Sequence, residues 1–281
     1  MLCATSPGSS SVEPHESMKR RIDQLLLDRG FAESRHKAQA LLLAGQVLVK
    51  DQKVEKPGHQ VDADAEIRIL RQPRFASRAG AKLQAALDHF QISVAGRACA
   101  DLGASTGGFT DCLLQNGACR VYAFDVGRDQ LAWRLRRDPR VIVRDGFNVR
   151  ALSPADLPEE VSFVSIDLAF ISVTKVLPPL KDSLVLPQER PGSESSAPAV
   201  REVDVVVLVK PQFEVGKGEV GKGGIVRDPE KRLRALESVT EFARREGYRV
   251  TGSIPSPVAG AGGNREFLLC LRLTKGLLSS P

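Results

Sequence analysis

The run Asp101-Leu102-Gly103-Ala104-Ser105-Thr106-Gly107-Gly108-Phe109 joins a short segment, Arg97 to Ala100, to Thr110-Asp111-Cys112-Leu113-Leu114. The first segment reads as a buried strand and the second as the opening turns of a helix. A strand closed by an acid, a glycine-rich turn and a helix start together make a nucleotide-type site. Glycine lets the backbone approach a ligand, and the helix N-terminus offers unpaired N–H groups. What the turn lacks narrows the ligand. A dinucleotide fingerprint wants glycine at the first, third and sixth turn positions, and the third is Ser105. A phosphate loop wants Gly-Lys-Ser/Thr, and the turn has no lysine. About twenty residues on, Val121-Tyr122-Ala123-Phe124-Asp125 supplies a second strand ending in an acid, placed for ribose hydroxyls.

Further strands are expected at Val141-Ile142-Val143, Val161 to Asp167, Asp204 to Lys210, Arg249 to Ser253 and Glu266 to Leu273. The segments ending at Asp167 and Lys210 are near-continuous apolar runs, as strands buried on both faces of a parallel sheet require. Helical patterns around Asp129 to Arg136, Ser172 to Leu180 and Pro229 to Glu246 alternate with them. This predicts an α/β fold, a doubly wound seven-stranded Rossmann-like sheet. Ligands of such sheets lie outside the carboxyl ends of the strands, where Asp101, Asp125, Asp167 and Lys210 fall. The acid-glycine turn resembles motif one of the S-adenosylmethionine-dependent methyltransferases. That resemblance implies S-adenosyl-L-methionine as cofactor, with Asp101, Gly103, Ser105, Thr106 and Gly107 at its methionine and ribose end and Asp125 on the ribose hydroxyls. Asp145, after the third strand, is expected near adenine.

A smaller module precedes this domain. The net charge is +6, and Lys19 to Arg74 hold 12 basic against 8 acidic side chains, so +4 sits near the start of the chain. Such a module suggests a polyanionic partner, most simply nucleic acid. A helix from Arg20 carries Ile22, Leu25, Leu26 and Arg29 on one side and stops at Gly30. Ser34 caps a second helix with Ala38, Leu41 and Leu42 at helical spacing before Gly45. Val47-Leu48-Val49, Val54, Val61 and Glu66-Ile67-Arg68-Ile69 complete a small sheet. Arg21-Ile22-Asp23-Gln24-Leu25-Leu26, Gly30, Ser34-Arg35, Ala38, Leu42, Gly45-Gln46-Val47 and Lys56-Pro57 resemble the RNA-binding domain first seen in ribosomal protein S four. The resemblance implies that the second helix and the following loop face structured RNA, with Arg20, Arg21, Arg35, Lys37 and Lys50 on phosphates. The turn at Asp51-Gln52 departs from the Asn-Gly usual in that family.

The expected organisation is a disordered tail over 1–18, the RNA-binding module over 19–70, a linker over 71–76 and the methyltransferase domain over 77–275. A flexible insertion covers about 181–202, and the glycine-rich loop 216–224 is placed to act as a substrate lid.

Four ionisable residues stand at or near the ends of apolar elements: Lys82, on a helix from Ser77 to Phe90, then Asp167, Lys210 and Glu266. A lone charge there is costly unless paired. Their order and contexts match the Lys-Asp-Lys-Glu tetrad of FtsJ-type ribose methyltransferases, and Lys19 to Leu273 resembles the TlyA (hemolysin A) family of ribosomal RNA ribose methyltransferases. The resemblance implies methyl transfer to ribose 2'-hydroxyls, on cytidines, with ribosomal RNA or ribosomal subunits as partner. Lys210 is the candidate to accept or orient the hydroxyl proton. Lys82 would lower the proton affinity of Lys210 and help hold the hydroxyl, while Asp167 and Glu266 fix the two ammonium groups. No metal is expected, and the five cysteines show no Cys-x-x-Cys spacing. No apolar run of about 18 residues and no secretory leader is found, so a cytoplasmic protein without membrane contact is expected. Two alternatives remain at this stage: a non-catalytic RNA-binding or ribosome-assembly factor, and a membrane-active hemolysin.

Overall fold

The computed structural model describes residues 18–70, 74–184, 201–216 and 218–275. The expected tail up to 17, the start of the linker at 71–73 and most of the expected insertion, 185–200, lie outside the described residues. The chain divides into two compact units, 1–72 and 73–281.

The small unit runs β1 (Lys19–Arg21), α1 (Ile22–Asp28), α2 (Arg35–Leu43), β2 (Val47–Val49), β3 (Gln52–Val54), β4 (Gln60–Asp62) and β5 (Ile67–Ile69). Ile22, Leu25 and Leu26 of α1 meet Ala38 and Leu42 of α2 over Val47 and Ile67, which makes one apolar core. Ser34 caps α2 by accepting from the Lys37 amide at 3.2 Å.

Two expectations shift here. Arg20 does not open the helix: Lys19–Arg21 is extended and pairs antiparallel with Gln60–Asp62, so Val61 leaves the β3-β2-β5 sheet for a separate ribbon. The hairpin turn is centred one residue earlier than expected. Val49 pairs with Gln52, leaving Lys50 and Asp51 at φ 49° and 61°. Two left-handed residues in succession give the primed turn whose twist matches the flanking strands.

The large unit opens with α3 (Ala79–Phe90). It continues through β6 (Ala98–Leu102), α4 (Gly108–Gln115), β7 (Arg120–Asp125), α5 (Trp133–Arg136), β8 (Val141–Asp145), β9 (Phe163–Ile166) and α6 (Leu177–Ser183). It closes with β10 (Arg201–Val209), α7 (Pro211–Glu214), α8 (Pro229–Arg245), β11 (Arg249–Pro255) and β12 (Phe267–Lys275). The strands form one seven-stranded sheet in the order β11-β12-β10-β9-β6-β7-β8. β12 runs antiparallel to both its neighbours, and the β10-to-β8 run is parallel. Because alternate side chains point to opposite faces, each strand feeds two cores. Tyr122, Phe124, Val164, Val205 and Val207 pack with Leu177 and Leu180 of α6 and Val239 of α8. Val121, Cys99, Phe163, Val206 and Leu268 pack with Leu83 and Leu87 of α3 and Phe109 and Leu113 of α4.

Two helices are shorter than their sequence pattern. The segment before α5 is a loop, with Asp129 at φ 57° and Ala132 N–H bound to Thr106 O at 3.2 Å. α6 starts only at Leu177, after a 3-10 turn over Val173–Lys175, because Pro178 and Pro179 lack N–H groups and fit only a helix's first turn. Among the described residues no helix is long and apolar enough to cross a membrane.

Candidate active site

A cavity of about 630 Å³ opens at the carboxyl ends of β6, β7, β9 and β10. Its floor is the glycine turn. Gly103 sits at φ 92°, and a Cβ there would collide with the Asp167 carbonyl oxygen. Gly107 sits at φ 93°, with Leu135 and Leu131 filling the space a side chain would need. Only glycine meets both demands, of backbone angle and of room. The Ser105 amide donates to Asp125 Oδ2 and the Gly127 amide to Oδ1, both at 2.7 Å, so Asp125 ties the turn to the end of β7.

Gly103, Ser105, Thr106 and Asp125 line the cavity, while Gly107 does not and Gly108 takes a wall position. Asp101 and Asp145 do not line it. Asp101 is fully buried beneath the turn, accepting from Thr110 Oγ1 at 2.7 Å and Ser165 Oγ at 3.0 Å. Burial among hydroxyl donors, with no cation, pushes its carboxyl up to about 7. Asp145 turns away to Arg136 at 2.5 Å and accepts from the Asp129 amide at 3.2 Å. Arg136 holds its carboxyl below the usual carboxylate range. The wall expected of Asp145 is made instead by Phe147, Asn148 and Val149, from the loop after β8. The rule that ligands lie outside strand ends favours that loop over the acid at the end of the strand.

The four candidate catalytic residues form two ion pairs. Lys210 Nζ lies 2.6 Å from Asp167 Oδ1 and both line the cavity, yet no directed hydrogen bond reaches that oxygen. Lys82 Nζ, from α3, lies 2.5 Å from Glu266 Oε2, and both side chains are buried, at 9% and 2% exposure. Val209 of β10 faces Phe267 of β12, so Lys210 and Glu266 stand next to each other where these strands begin and end. Gly260 closes over Glu266, for a Cβ on it would overlap the carboxylate.

Two residues here escaped the sequence reading. Glu214 of α7 accepts from Ser172 Oγ at 2.6 Å and from the Val173 amide at 2.9 Å, and burial raises its pKa. It buckles the loop after Asp167 to the segment after Lys210. Phe170, on that loop, is 91% exposed at φ 65°, with its ring 5.4 Å from that of Phe213. The signal was an aromatic three residues past a candidate catalytic acid. The loop expected to act as a lid, 216–224, contributes no cavity wall among its described residues. Glu219 pins it to Arg234 at 3.2 Å and to the Gly216 amide at 3.1 Å.

In the small unit, each of the five candidate RNA contacts stands in an ion pair. Arg20 meets Asp28 at 2.5 Å, Arg21 and Arg35 meet Asp23 at 3.0 and 3.2 Å, Lys37 meets Glu33, and Lys50 meets Asp62 at 2.8 Å. Asp23 is fully buried and also accepts from Gln39 Nε2 at 3.3 Å. The Arg21 guanidinium beside it holds its carboxyl well below the usual range.

The FtsJ-like methyltransferase model matches residues 75–273, and an S4 domain matches 20–67. The chain is 43% identical, over 90% of each sequence, to the 16S/23S rRNA (cytidine-2'-O)-methyltransferase TlyA of Mycobacterium tuberculosis. It is 39% identical to Hemolysin A of Brachyspira hyodysenteriae, over 88% of this chain and 98% of that one. A solved structure of a provisionally named hemolysin from Streptococcus thermophilus superposes with a TM-score of 0.66 at 40% identity, covering 92% of this chain and 90% of that one.

Proposed function

The chain belongs to the FtsJ-like methyltransferase family, and we propose that it methylates ribosomal RNA through Lys82, Asp167, Lys210 and Glu266. It is an S-adenosylmethionine-dependent ribosomal RNA methyltransferase acting on ribose 2'-hydroxyls, the chemistry named for its TlyA relative being that of cytidine. The observation that carries the residue assignment is the pair of ion pairs at the ends of β9, β10 and β12, one of them open to the cavity.

The cavity suits the cofactor. Its glycine floor leaves room for close backbone approach, Asp125 offers carboxylate oxygens to a ribose, and Phe147 with Val149 offers an apolar wall to a base. When bound, S-adenosylmethionine supplies a methyl group already activated by its sulfonium. What remains for the protein is alignment and the proton. Lys210 Nζ orients the ribose hydroxyl or, as the uncharged amine, takes its proton, with Asp167 holding the nitrogen in position from the strand beside it. Glu266, next to Lys210 across the β10–β12 register, anchors Lys82, which sets a second positive charge at this end of the sheet. Phe170 presents an exposed ring on which the base of the target nucleotide stacks.

Residues 19–70 are the RNA-holding module and 77–275 the catalytic domain. The exposed guanidinium groups of Arg21 and Arg35, both oriented by Asp23, support this reading. A ribosomal RNA substrate supports a cytoplasmic location. The test is methyl transfer from labelled S-adenosylmethionine to unmodified ribosomal RNA, followed by mapping of 2'-O-methyl marks. Marks on ribose support the reading, and methylation on bases, or none, overturns it.

A further inference from the structure

The stretch Val126 to Arg150 holds seven arginines, three aspartates and no lysine, which is +4 against a net +6 and equals the balance of Lys19 to Arg74. Within it stands the chain's one tryptophan, Trp133, at 68% exposure. An indole left in water forgoes roughly 25 cal/mol per Å² of apolar surface. The packing of this segment does not need it, for Leu131 and Leu135 fill the space beside Gly107. The Arg137 guanidinium carbon lies 5.4 Å from the ring centre. Arg128, Arg137 and Arg144 are exposed, and among the described residues they stand in no ion pair, unlike the five candidate cations of the small unit.

The location is set by the backbone. Ala132 N–H binds Thr106 O at 3.2 Å, and Val126 and Gln130 line the cavity, so the segment lies at the end of the sheet where the cavity opens. We infer that this face is a second RNA-contact surface, on which Trp133 stacks an unpaired base near the target nucleotide and Arg137 and Arg128 take neighbouring phosphates. The inference rests on the ribosomal RNA reading above. Every base has a π-face to stack, and guanidinium groups pair with phosphate oxygens in fork geometry. An exposed ring beside the unpaired Arg137 fits a strand that alternates base and phosphate.

Because Trp133 is the only tryptophan, its emission reports on this face alone. The full chain is titrated with a ribosomal RNA transcript. RNA binding is followed by anisotropy of a labelled copy, and tryptophan emission and acrylamide access are followed with unlabelled RNA. The expected result is quenched emission and lost acrylamide access, saturating with the anisotropy. Trp133→Ala then binds roughly 5- to 100-fold more weakly with an unchanged salt slope, and Arg137→Ala lowers that slope by about one. S-adenosylmethionine affinity stays at the wild-type value in both variants. RNA binding by anisotropy with emission and acrylamide access unchanged, and with Trp133→Ala at wild-type affinity, overturns the inference while leaving the methyltransferase reading intact. No RNA binding by the wild-type chain overturns both.

Discussion

Asp23 in the small unit and Asp101 in the large one are both fully buried, yet their surroundings act on them in opposite directions. Asp23 collects two arginines and a glutamine, and its carboxyl is held well below the usual range. Asp101 collects two hydroxyls and the Thr110 amide but no cation, and burial raises its carboxyl to about 7. Asp23 is a charged clamp that keeps two cations of the proposed RNA face in place. Asp101, raised to about 7, is a hydrogen-bonded post under the cofactor turn.

The largest expected effect comes from stripping the clamp. Arg21→Ala with Arg35→Ala leaves the Asp23 carboxylate buried without a cation, a situation that costs about 3 to 5 kcal/mol. Hydrogen exchange of the α1 and α2 amides should accelerate accordingly. In the wild type, the lowered folded pKa gives stability that is present above the unfolded aspartate value, near 3.9, and is lost as pH falls below it. In the double variant, acidification should instead restore protection. Unchanged exchange at neutral pH would break the comparison.

Asp101 should show the reverse sign. Its folded pKa is raised, so unfolding releases its proton over the window from about 3.9 to about 7, and stability falls as pH rises through that window. The span amounts to on the order of 4 kcal/mol. Asp101→Asn keeps the hydroxyl partners and should flatten this part of the curve in thermal melts from pH 4 to 8. A variant whose melting temperature follows the wild-type pH profile would show that Asp101 is charged after all.

A third acid sharpens the contrast at smaller size. Glu214 resembles Asp101 in being raised by burial and bound only by a hydroxyl and an amide. Glu214→Ala should free the loop that carries Phe170 and lower methyl transfer about 10-fold, with a stability cost of roughly 1 to 3 kcal/mol. Glu214→Gln, which can still accept from the Val173 amide, should recover most of the activity. Equal loss in both variants would mean that the negative charge, not the buckle, matters.

The sheet was legible because apolar runs bounded by acids mark buried parallel strands whatever packs on them. Asp167, Lys210 and Glu266 could be placed at strand ends because each follows or precedes such a run, whereas Lys82 lies within α3 and its pairing with Glu266 has no local signature. The roles of Asp23, Asp101 and Asp145 were not legible, since each depends on partners from another element. Arg35 and Gln39 reach Asp23 from α2, Ser165 reaches Asp101 from β9, and Arg136 reaches Asp145 from α5. Local pattern places an acid at the end of a strand but does not say whether it turns toward the ligand or into the core. The one-residue shift of the hairpin turn has the same origin. The pairing of Val47 with both Val54 and Ile69 sets the register, and Lys50 and Asp51 adopt left-handed angles to satisfy it.

The central claim is that Lys210 handles the ribose proton, and methyl transfer by Lys210→Ala tests it most directly. The variant should lose on the order of 100-fold or more in turnover on ribosomal RNA. Its melting temperature and its S-adenosylmethionine affinity should stay near the wild type, since Lys210 and Asp167 both line the cavity rather than the core. Full turnover, or a fall in melting temperature that accounts for the whole loss, would contradict the account.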